Sequence, residues 1–208
     1  MKKSLKPIIK DDIKKISINS ITNEDKIEDY LFENEECIIN FKNVEFNGCA
    51  FKNVSFNKCP IEDTDFIDCA FESCDLSNID IKEKLFLRCS FKNCSLVGAS
   101  IIESSIKQTV FLECNLKYAN ISCTLKDVSF INSLMNDIRL FQNKLNNVII
   151  NNCDLTNAEV YNTSLKNIDL STCKIDNINA DMDSIKGVTT DMIGVIHLAR
   201  IFGVNVHL

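Results

Sequence analysis

Cysteines are the residues of this 208-residue chain with the greatest capacity for chemistry, because a thiol can bind a metal, form a disulfide or act as a nucleophile. The chain has eleven of them, but no Cys-x-x-Cys motif and only two histidines, His197 and His207. That combination lacks the ligand spacing of a zinc site. Several cysteines, such as Cys69 and Cys74, lie five residues apart. We therefore expect a structural repeat to place them, and we predict no metal and no cofactor.

Catalytic motifs are also missing from the sequence. No GxSxG, P-loop, GxGxxG or HExxH pattern occurs. Both histidines fall close to the C-terminus, where we expect a structural or surface role. Acidic residues are abundant, but nothing in their arrangement predicts a cleft that would separate the pKa values of two carboxyl groups. The sequence predicts a protein that is not an enzyme and has no small-molecule substrate.

Large apolar residues recur at every fifth position along most of the chain. The series runs from Phe41 to Ile121, slips by one deleted residue at Ser122–Thr124, and continues from Leu125 to Ile185. It comprises thirty central positions, and all of them are apolar. A period of five fits neither an α-helix nor a flat strand. It fits a chain that turns a corner every five residues.

A second column, two residues before each centre, carries small or β-branched residues. Ten of the eleven cysteines lie in this column, where cysteine acts as a compact buried hydrophobe. Lys84, Asn143 and Asp183 interrupt the column, and Cys37 lies outside it, where it could be exposed and reactive, although nothing supports it as a nucleophile. One large and one small residue per side would point inward, and four sides would close a coil of about twenty residues.

The pattern thus predicts an all-β fold, a right-handed quadrilateral parallel β-helix with a terminal segment at each end. We assign residues 39–187 to the β-helix, 1–38 to an N-terminal cap of helical or irregular structure, and 188–208 to a C-terminal helix and tail. Thr189-Thr190-Asp191 supplies an N-cap for that helix and Gly203 a stop. Val204–Leu208 alternates like a short edge strand.

The C-terminal helix is predicted to be apolar on nearly every side. Half of it would cover the last coil, and the other half would need a partner, most simply the same surface of a second copy in a twofold dimer. The alternative is a helix that only folds over the coil end. The candidate dimer residues are Met192, Ile193, Val195, Ile196, Leu198, Ile201, Phe202, Val204 and Val206.

The formal net charge is −6, which argues against direct binding of nucleic acid. No apolar run approaches the length of a membrane span, and no apolar segment follows the N-terminal lysines as in a signal peptide. We therefore expect a cytoplasmic protein whose thiols stay reduced.

One predicted coil, residues 61–80, carries seven acidic residues and no lysine or arginine. Such a belt could face a basic DNA-binding surface, or it could simply keep the protein in solution. The candidate partner-binding residues are Glu62, Asp63, Asp65, Asp68, Glu72, Asp75 and Asp80.

Units such as Cys74-Asp75-Leu76-Ser77-Asn78 resemble the repeating unit of the pentapeptide-repeat family, and the resemblance covers residues 39 to about 187. A long solenoid that ends in Leu198-Ala199-Arg200-Ile201-Phe202-Gly203 is similar to the Qnr quinolone-resistance proteins. This resemblance implies a homodimer whose rod imitates DNA, binds DNA gyrase or topoisomerase IV, and modulates quinolone susceptibility. The better-known Qnr members have loops between coils, whereas here the five-residue step from Phe41 to Ile121 has none. The alternative function is a protein-interaction scaffold with another partner.

Overall fold

A computed structural model describes residues 6–22, 26–57, 59–61 and 64–206. The backbone winds into a parallel β-solenoid of about eight turns, followed by a short C-terminal helix. Successive turns bring residues about twenty positions apart side by side, so that Phe71 lies between Phe51 and Phe91. The predicted fold class is confirmed.

The strands are short, and they pair in parallel in one eight-stranded and one eleven-stranded sheet. In chain order they are β1 (Lys14–Lys15), β2 (Lys26–Glu28), β3 (Tyr30–Glu36), β4 (Val44–Asn47), β5 (Ala50–Ser55), β6 (Thr64–Ile67), β7 (Ala70–Glu72), β8 (Asp80–Lys82), β9 (Leu85–Leu87), β10 (Ser90–Lys92), β11 (Ser100–Lys107), β12 (Val110–Leu112), β13 (Asn120–Lys126), β14 (Ser129–Ile131), β15 (Arg139–Phe141), β16 (Lys144–Asn146), β17 (Ile149–Asn151), β18 (Glu159–Tyr161) and β19 (Asn179–Ala180). The helices are a 3-10 turn at Ile18–Ser20, α1 (Met182–Ile185) and α2 (Met192–Ile201).

The corners of the coils are made by residues with positive φ, two positions after a central residue. This left-handed conformation is unfavourable for most side chains and most tolerable for Gly, Asn and Asp. Asn and Asp occupy many of the corners, and Gly48 and Gly98 occupy two more. Tyr118 and Arg88 show that the repeat also imposes the conformation on bulky residues. A chain with few glycines and prolines can therefore turn at every fifth residue.

The central column forms the core. Every predicted central residue is buried except Leu145, which is half-buried. On one side the rings of Phe51, Phe71, Phe91 and Phe111 stack with centroid separations of 4.6, 4.5 and 4.8 Å and nearly parallel planes. Stacked aromatic pairs contribute about 0.5–1.5 kcal/mol beyond the burial of their area. Each coil is thus held mainly by its neighbours.

The small column satisfies backbone groups as well as filling space. The thiols of Cys69, Cys89 and Cys94 lie 3.4–3.5 Å from main-chain carbonyls of the coil below and donate to them. Asn143 is also buried, and its side-chain amide makes the equivalent hydrogen bond: Nδ2 donates to the Ile121 carbonyl at 2.8 Å. A polar side chain in this column is stable because its hydrogen bonds are made.

The N-terminal part of the solenoid begins earlier than predicted. Strands β1, β2 and β3 pair in parallel with the rest of the two sheets, and Phe32 stacks on Phe51 at 5.0 Å. Ile27, Phe32 and Cys37 are spaced by five, but a step of four residues then leads to Phe41 and hides the pattern. Cys37, for which the sequence left exposure open, occupies an inward position beside Phe56 and is fully buried.

The predicted slip at Ser122–Thr124 is confirmed. Strand β13 runs through this corner without a positive-φ residue, and its pairing with β11 shifts between Ile102 and Ser105. At the C-terminal end α2 begins where predicted, with the Asp191 side chain accepting from the Gly194 amide at 2.8 Å. Gly203 has the expected positive φ. The predicted edge strand is wrong for residues 204–206, which pair with no strand, and residues 207–208 lie outside the described part.

Candidate interaction surfaces

The predicted acidic coil winds around the rod instead of lying along one side. Asp65 belongs to β6 of the eleven-stranded sheet, and Glu72 to β7 of the eight-stranded sheet. Asp75 lies on the side joined by isolated bridges, and Asp80 begins β8. Glu62 and Asp63 lie outside the described residues. A flat partner would therefore meet only part of this coil at once.

Asp68 is engaged within the protein. Its side chain is 9% exposed, and its two carboxylate oxygens accept from Nε and Nη2 of Arg88 at 2.7 and 2.5 Å. The amide of Ile8 also donates to it at 3.1 Å, which fixes the N-terminal segment against this corner. The hydrogen bond to Asp68 raises the pKa of Arg88. Removal of Asp68 would leave a half-buried guanidinium without its partner, so this residue is structural.

The other acidic residues differ in how far they are free to meet a partner. Asp65 accepts from the Leu85 amide at 2.8 Å, and Asp75 accepts from the Ser77 amide at 3.0 Å, so both support the backbone. Glu72 is half exposed and lies 3.8 Å from Lys92, a separation at which a surface pair contributes little. Asp80 is exposed and forms no ion pair with any described residue. Glu72 and Asp80 are thus the members that best present their charge.

Charge is divided along the axis of the rod. Residues 26–83 contain fourteen acidic and five basic residues, a net charge of −9. Residues 84–144 contain four acidic and eight basic residues, a net charge of +4. A total taken over the whole solenoid conceals this division, and a count coil by coil from the sequence would have found it. The acidic surface includes β2, β3 and β4, which precede the predicted belt.

The C-terminal helix has two different faces. Leu198 and Ile201 pack against the core, and Gly194 is buried against Ile175, where an added Cβ would approach Cδ1 of that residue to 3.0 Å. His197 contacts Asp176 through Nε2 at 3.0 Å, which gives this histidine the expected structural role.

The opposite face of α2 and the tail are largely exposed. The exposed fractions are Met192 84%, Ile193 64%, Val195 56%, Phe202 49% and Val204 50%. Ile196 and Val206 are half-buried. An open groove of about 720 Å³ runs beside the helix, and its apolar lining includes Met182, Val188, Val195, Leu198 and Phe202. Five of the nine candidate dimer residues thus form an apolar surface without a partner in the single chain, of the kind that marks interaction sites.

Most of the thiols are poorly placed for chemistry. All eleven cysteines are free, and ten are buried, whereas Cys173 is half-buried. Burial raises the pKa of Cys89 and of Cys123 to about 12 and that of Cys153 to about 11. A thiol with a raised pKa holds little of the reactive thiolate at neutral pH. No group of three or more potential metal ligands occurs among the described residues, and no described helix is long and apolar enough to cross a membrane.

A comparison with known protein families finds a repeat of the same five-residue length as the spacing of the corners. Residues 64–123 match the family model for a pentapeptide repeat region. This part of the chain is a pentapeptide-repeat region. The same spacing of buried central residues and positive-φ corners continues on both sides of the matched segment, apart from the slips before Phe41 and at Ser122–Thr124. None of the curated proteins matches the sequence.

Several solved structures are similar to this chain at low sequence identity. A trypsin-treated variant of QnrB1, a plasmid-mediated fluoroquinolone resistance protein, is 21% identical with a TM-score of 0.42, covering 94% of this chain and 97% of that one. HetL from the cyanobacterium Nostoc sp. strain PCC 7120, involved in heterocyst differentiation regulation, is 14% identical with a TM-score of 0.38, covering 80% and 87%. Rfr23 from the cyanobacterium Cyanothece 51142 is 17% identical with a TM-score of 0.26, covering 54% and 64%. At such scores the function has to be argued from this chain's own residues.

Proposed function

We propose that this pentapeptide-repeat protein is a non-enzymatic DNA mimic of the cytoplasm that binds a type II topoisomerase, DNA gyrase or topoisomerase IV, and modulates quinolone susceptibility. The observation that carries the proposal is the net charge of −9 on residues 26–83. These residues make about three coils, or about 14 Å of rod at the spacing of paired strands. The same length of duplex DNA carries about eight phosphate charges. The N-terminal coils therefore approach the charge density of the ligand that they would imitate.

The C-terminal end supplies the second part of the proposal. Its exposed apolar face, with Met192, Ile193 and Val195, would pair with the same face of a second copy. This arrangement would leave the two acidic ends pointing outward on a doubled rod. Buried cysteines without disulfides are consistent with a reducing compartment.

The test is DNA supercoiling by gyrase in the presence of a fluoroquinolone, with the purified protein titrated in. Restored supercoiling is the expected result. Inhibition of supercoiling without rescue would support DNA mimicry but contradict the role in quinolone susceptibility. No effect at micromolar protein would contradict both.

A matched pair of variants locates the binding surface. Glu72→Lys with Asp80→Lys changes two exposed acids of the N-terminal coils, and we expect it to abolish the effect on gyrase. Glu113→Lys with Glu159→Lys makes the same change in charge in later coils, and we expect it to keep the effect. Equal behaviour of the two pairs would contradict a site on the N-terminal coils.

The second candidate function is a scaffold for another protein. It is favoured by the internal use of Asp65, Asp68 and Asp75, which support the coil and do not offer their full charge to a ligand. Co-purification from cell lysate separates the two functions, because only the mimic should retain gyrase or topoisomerase IV subunits.

A further inference from the structure

Five lysines lie on one side of the solenoid, one in each of five successive coils. The side is that of the eleven-stranded sheet in the second half of the chain. Lys107 and Lys126 are direct partners in the pairing of β11 with β13. Lys144 lies on the same side in the following coil, but it pairs with Thr124, whereas Asn146 pairs with Lys126, so Lys144 is offset from Lys126 by two residues along the strand. The lysine row consists of Lys107, Lys126, Lys144, Lys166 and Lys186.

The last two members lie side by side by backbone register, and the Asn143 amide on the coil of Lys144 donates to Thr163 Oγ1 on the coil of Lys166 at 3.0 Å. The Leu165 amide donates to the Ser184 carbonyl at 2.7 Å, and the Asn167 amide donates to the Gly187 carbonyl at 3.0 Å. Lys166 therefore lies beside Lys186 in the adjoining coil. Its Cγ is so close to Gly187 that a Cβ there would approach it to 3.2 Å. Four steps between coils give the row a length of about 19 Å.

These lysines differ from the paired basic residues elsewhere on the rod. Lys82 pairs with Glu103, and Arg139 pairs with Glu159 on a neighbouring coil. Among the described residues, no acid lies within ion-pair distance of any member of the lysine row. Like charges stacked on adjacent strands destabilise a sheet. The positive charge of the row is therefore available to a partner outside the chain.

Three acidic residues near the row have other partners. Asp127 accepts from Asn147 Nδ2 at 2.7 Å, and Glu103 pairs with Lys82 at 3.4 Å. Asp181 caps α1 by accepting from the Ser184 amide at 2.8 Å. None of these three forms an ion pair with a member of the row.

The chemistry around the row points to phosphate. Its outward neighbours are Ser105, Thr124, Asn146 and Ser164, side chains that donate hydrogen bonds to phosphate oxygens in protein–DNA complexes. The strands that carry the row have no outward aromatic residue there, so they offer no platform for the bases of a single strand. They also lack the aromatic and apolar anchors that dominate protein interfaces.

We propose that the lysine row binds the sugar-phosphate backbone of a nucleic-acid duplex, without reading its sequence. A row of about 19 Å spans about six phosphates of one strand at 3.4 Å each. The net charge of −6 predicts no such binding, because it averages the acidic N-terminal coils with this basic face. The inference is independent of the topoisomerase proposal and concerns the opposite half of the rod.

The test is fluorescence anisotropy with a labelled 20-base-pair DNA duplex from 50 to 200 mM salt. Five phosphate contacts predict a slope of log affinity against log salt of about −4.5. Lys126→Gln, Lys144→Gln and Lys166→Gln together should weaken binding at 50 mM salt at least about tenfold and flatten the slope by about 2.7. Lys52→Gln, Lys117→Gln and Lys174→Gln remove the same charge from other sides and should have little effect. Thermal unfolding of both triple variants checks that each remains folded.

Three results would overturn the proposal. They are absence of binding at 50 mM salt, equal loss of binding in the two triple variants, and binding of polyglutamate at least as tight as that of the duplex. The last would assign the row to an acidic protein. No topoisomerase is present in the assay, so its outcome leaves the proposed function untouched.

Discussion

At the scale of single residues, the repeat decides what a cysteine can do. A thiol in the small column fills space and donates to a carbonyl of the coil below, as Cys69 and Cys89 do. Ser104 and Thr163 occupy the same column and donate to equivalent carbonyls, at 3.5 and 3.1 Å. The column therefore selects small donors, and the number of cysteines reflects packing rather than reactivity.

The buried thiols predict a loss of stability at alkaline pH. The pKa of Cys89 and that of Cys123 are raised to about 12 by burial, against about 8.5 for an unfolded thiol. The unfolded chain therefore loses these protons first, and stability present below pH 8.5 is lost as the pH rises toward 12. At pH 10.5 each of these two thiols lowers the free energy of unfolding by about 2.7 kcal/mol relative to neutral pH.

Urea unfolding at pH 7 and pH 10.5 measures this effect. Between the two pH values, the free energy of unfolding of the Cys89→Ala, Cys123→Ala variant should fall by about 5 kcal/mol less than that of the wild type. Thr109→Ala, in the same column above Cys89, has no group that titrates and should lose as much as the wild type. An identical pH dependence in the double variant would contradict the raised pKa values.

At the scale of elements, α2 combines a cap with an exposed face. Leu198 and Ile201 cover the last coil, whereas Met192 and Val195 point away from it. Met192→Glu with Val195→Glu should convert the proposed dimer to a monomer with little change in the free energy of unfolding. Light scattering coupled to size exclusion measures the mass. Arg200→Glu with Asn205→Glu, also exposed, is the matched control and should remain dimeric; a dimeric Met192/Val195 variant would place the interface elsewhere.

Prediction from sequence succeeded for elements wherever the five-residue step was uninterrupted. The central residues from Phe41 to Ile185, the slip at Ser122–Thr124 and the start of α2 at its Asp191 cap all follow from local spacing. The first coils were missed because one deleted residue before Phe41 shifted the register, and a cysteine took the inward place of a larger residue at Cys37.

The candidate sites were harder to predict than the fold. The spacing gives the side of the rod on which a residue lies, but not whether its charge is used inside the protein. Asp68 belongs to the predicted belt by position, yet its pairing with Arg88 depends on the next coil. The apolar face of α2 was recognisable because helical periodicity divides residues that cover the coil, such as Leu198, from those that do not, such as Val195.

At the scale of the whole molecule, the stability of each coil should depend mainly on its neighbours along the rod. Each coil contacts only the coils beside it, so a perturbation should weaken its neighbours more than distant coils. The two halves also differ in their cores. Stacked phenylalanines continue to Phe130 on one side, after which Ile150 and Leu170 take the same position. Because aromatic stacking ends at Phe130, we expect the C-terminal coils to be the weaker part of the rod.

Native-state hydrogen exchange tests this picture with two core variants. Leu155→Ala should reduce protection in the coils between Leu125 and Ile185 by several kcal/mol and leave the coils around Phe71 nearly unchanged. Phe71→Ala, which opens a larger cavity, should cost about 3–5 kcal/mol and lower protection first in the coils that carry Phe51 and Phe91. A uniform loss along the chain in both variants would show a single cooperative unit. It would also mean that the acidic N-terminal coils and the lysine row cannot unfold independently, because the free energy that holds one half would then depend on the packing of the other.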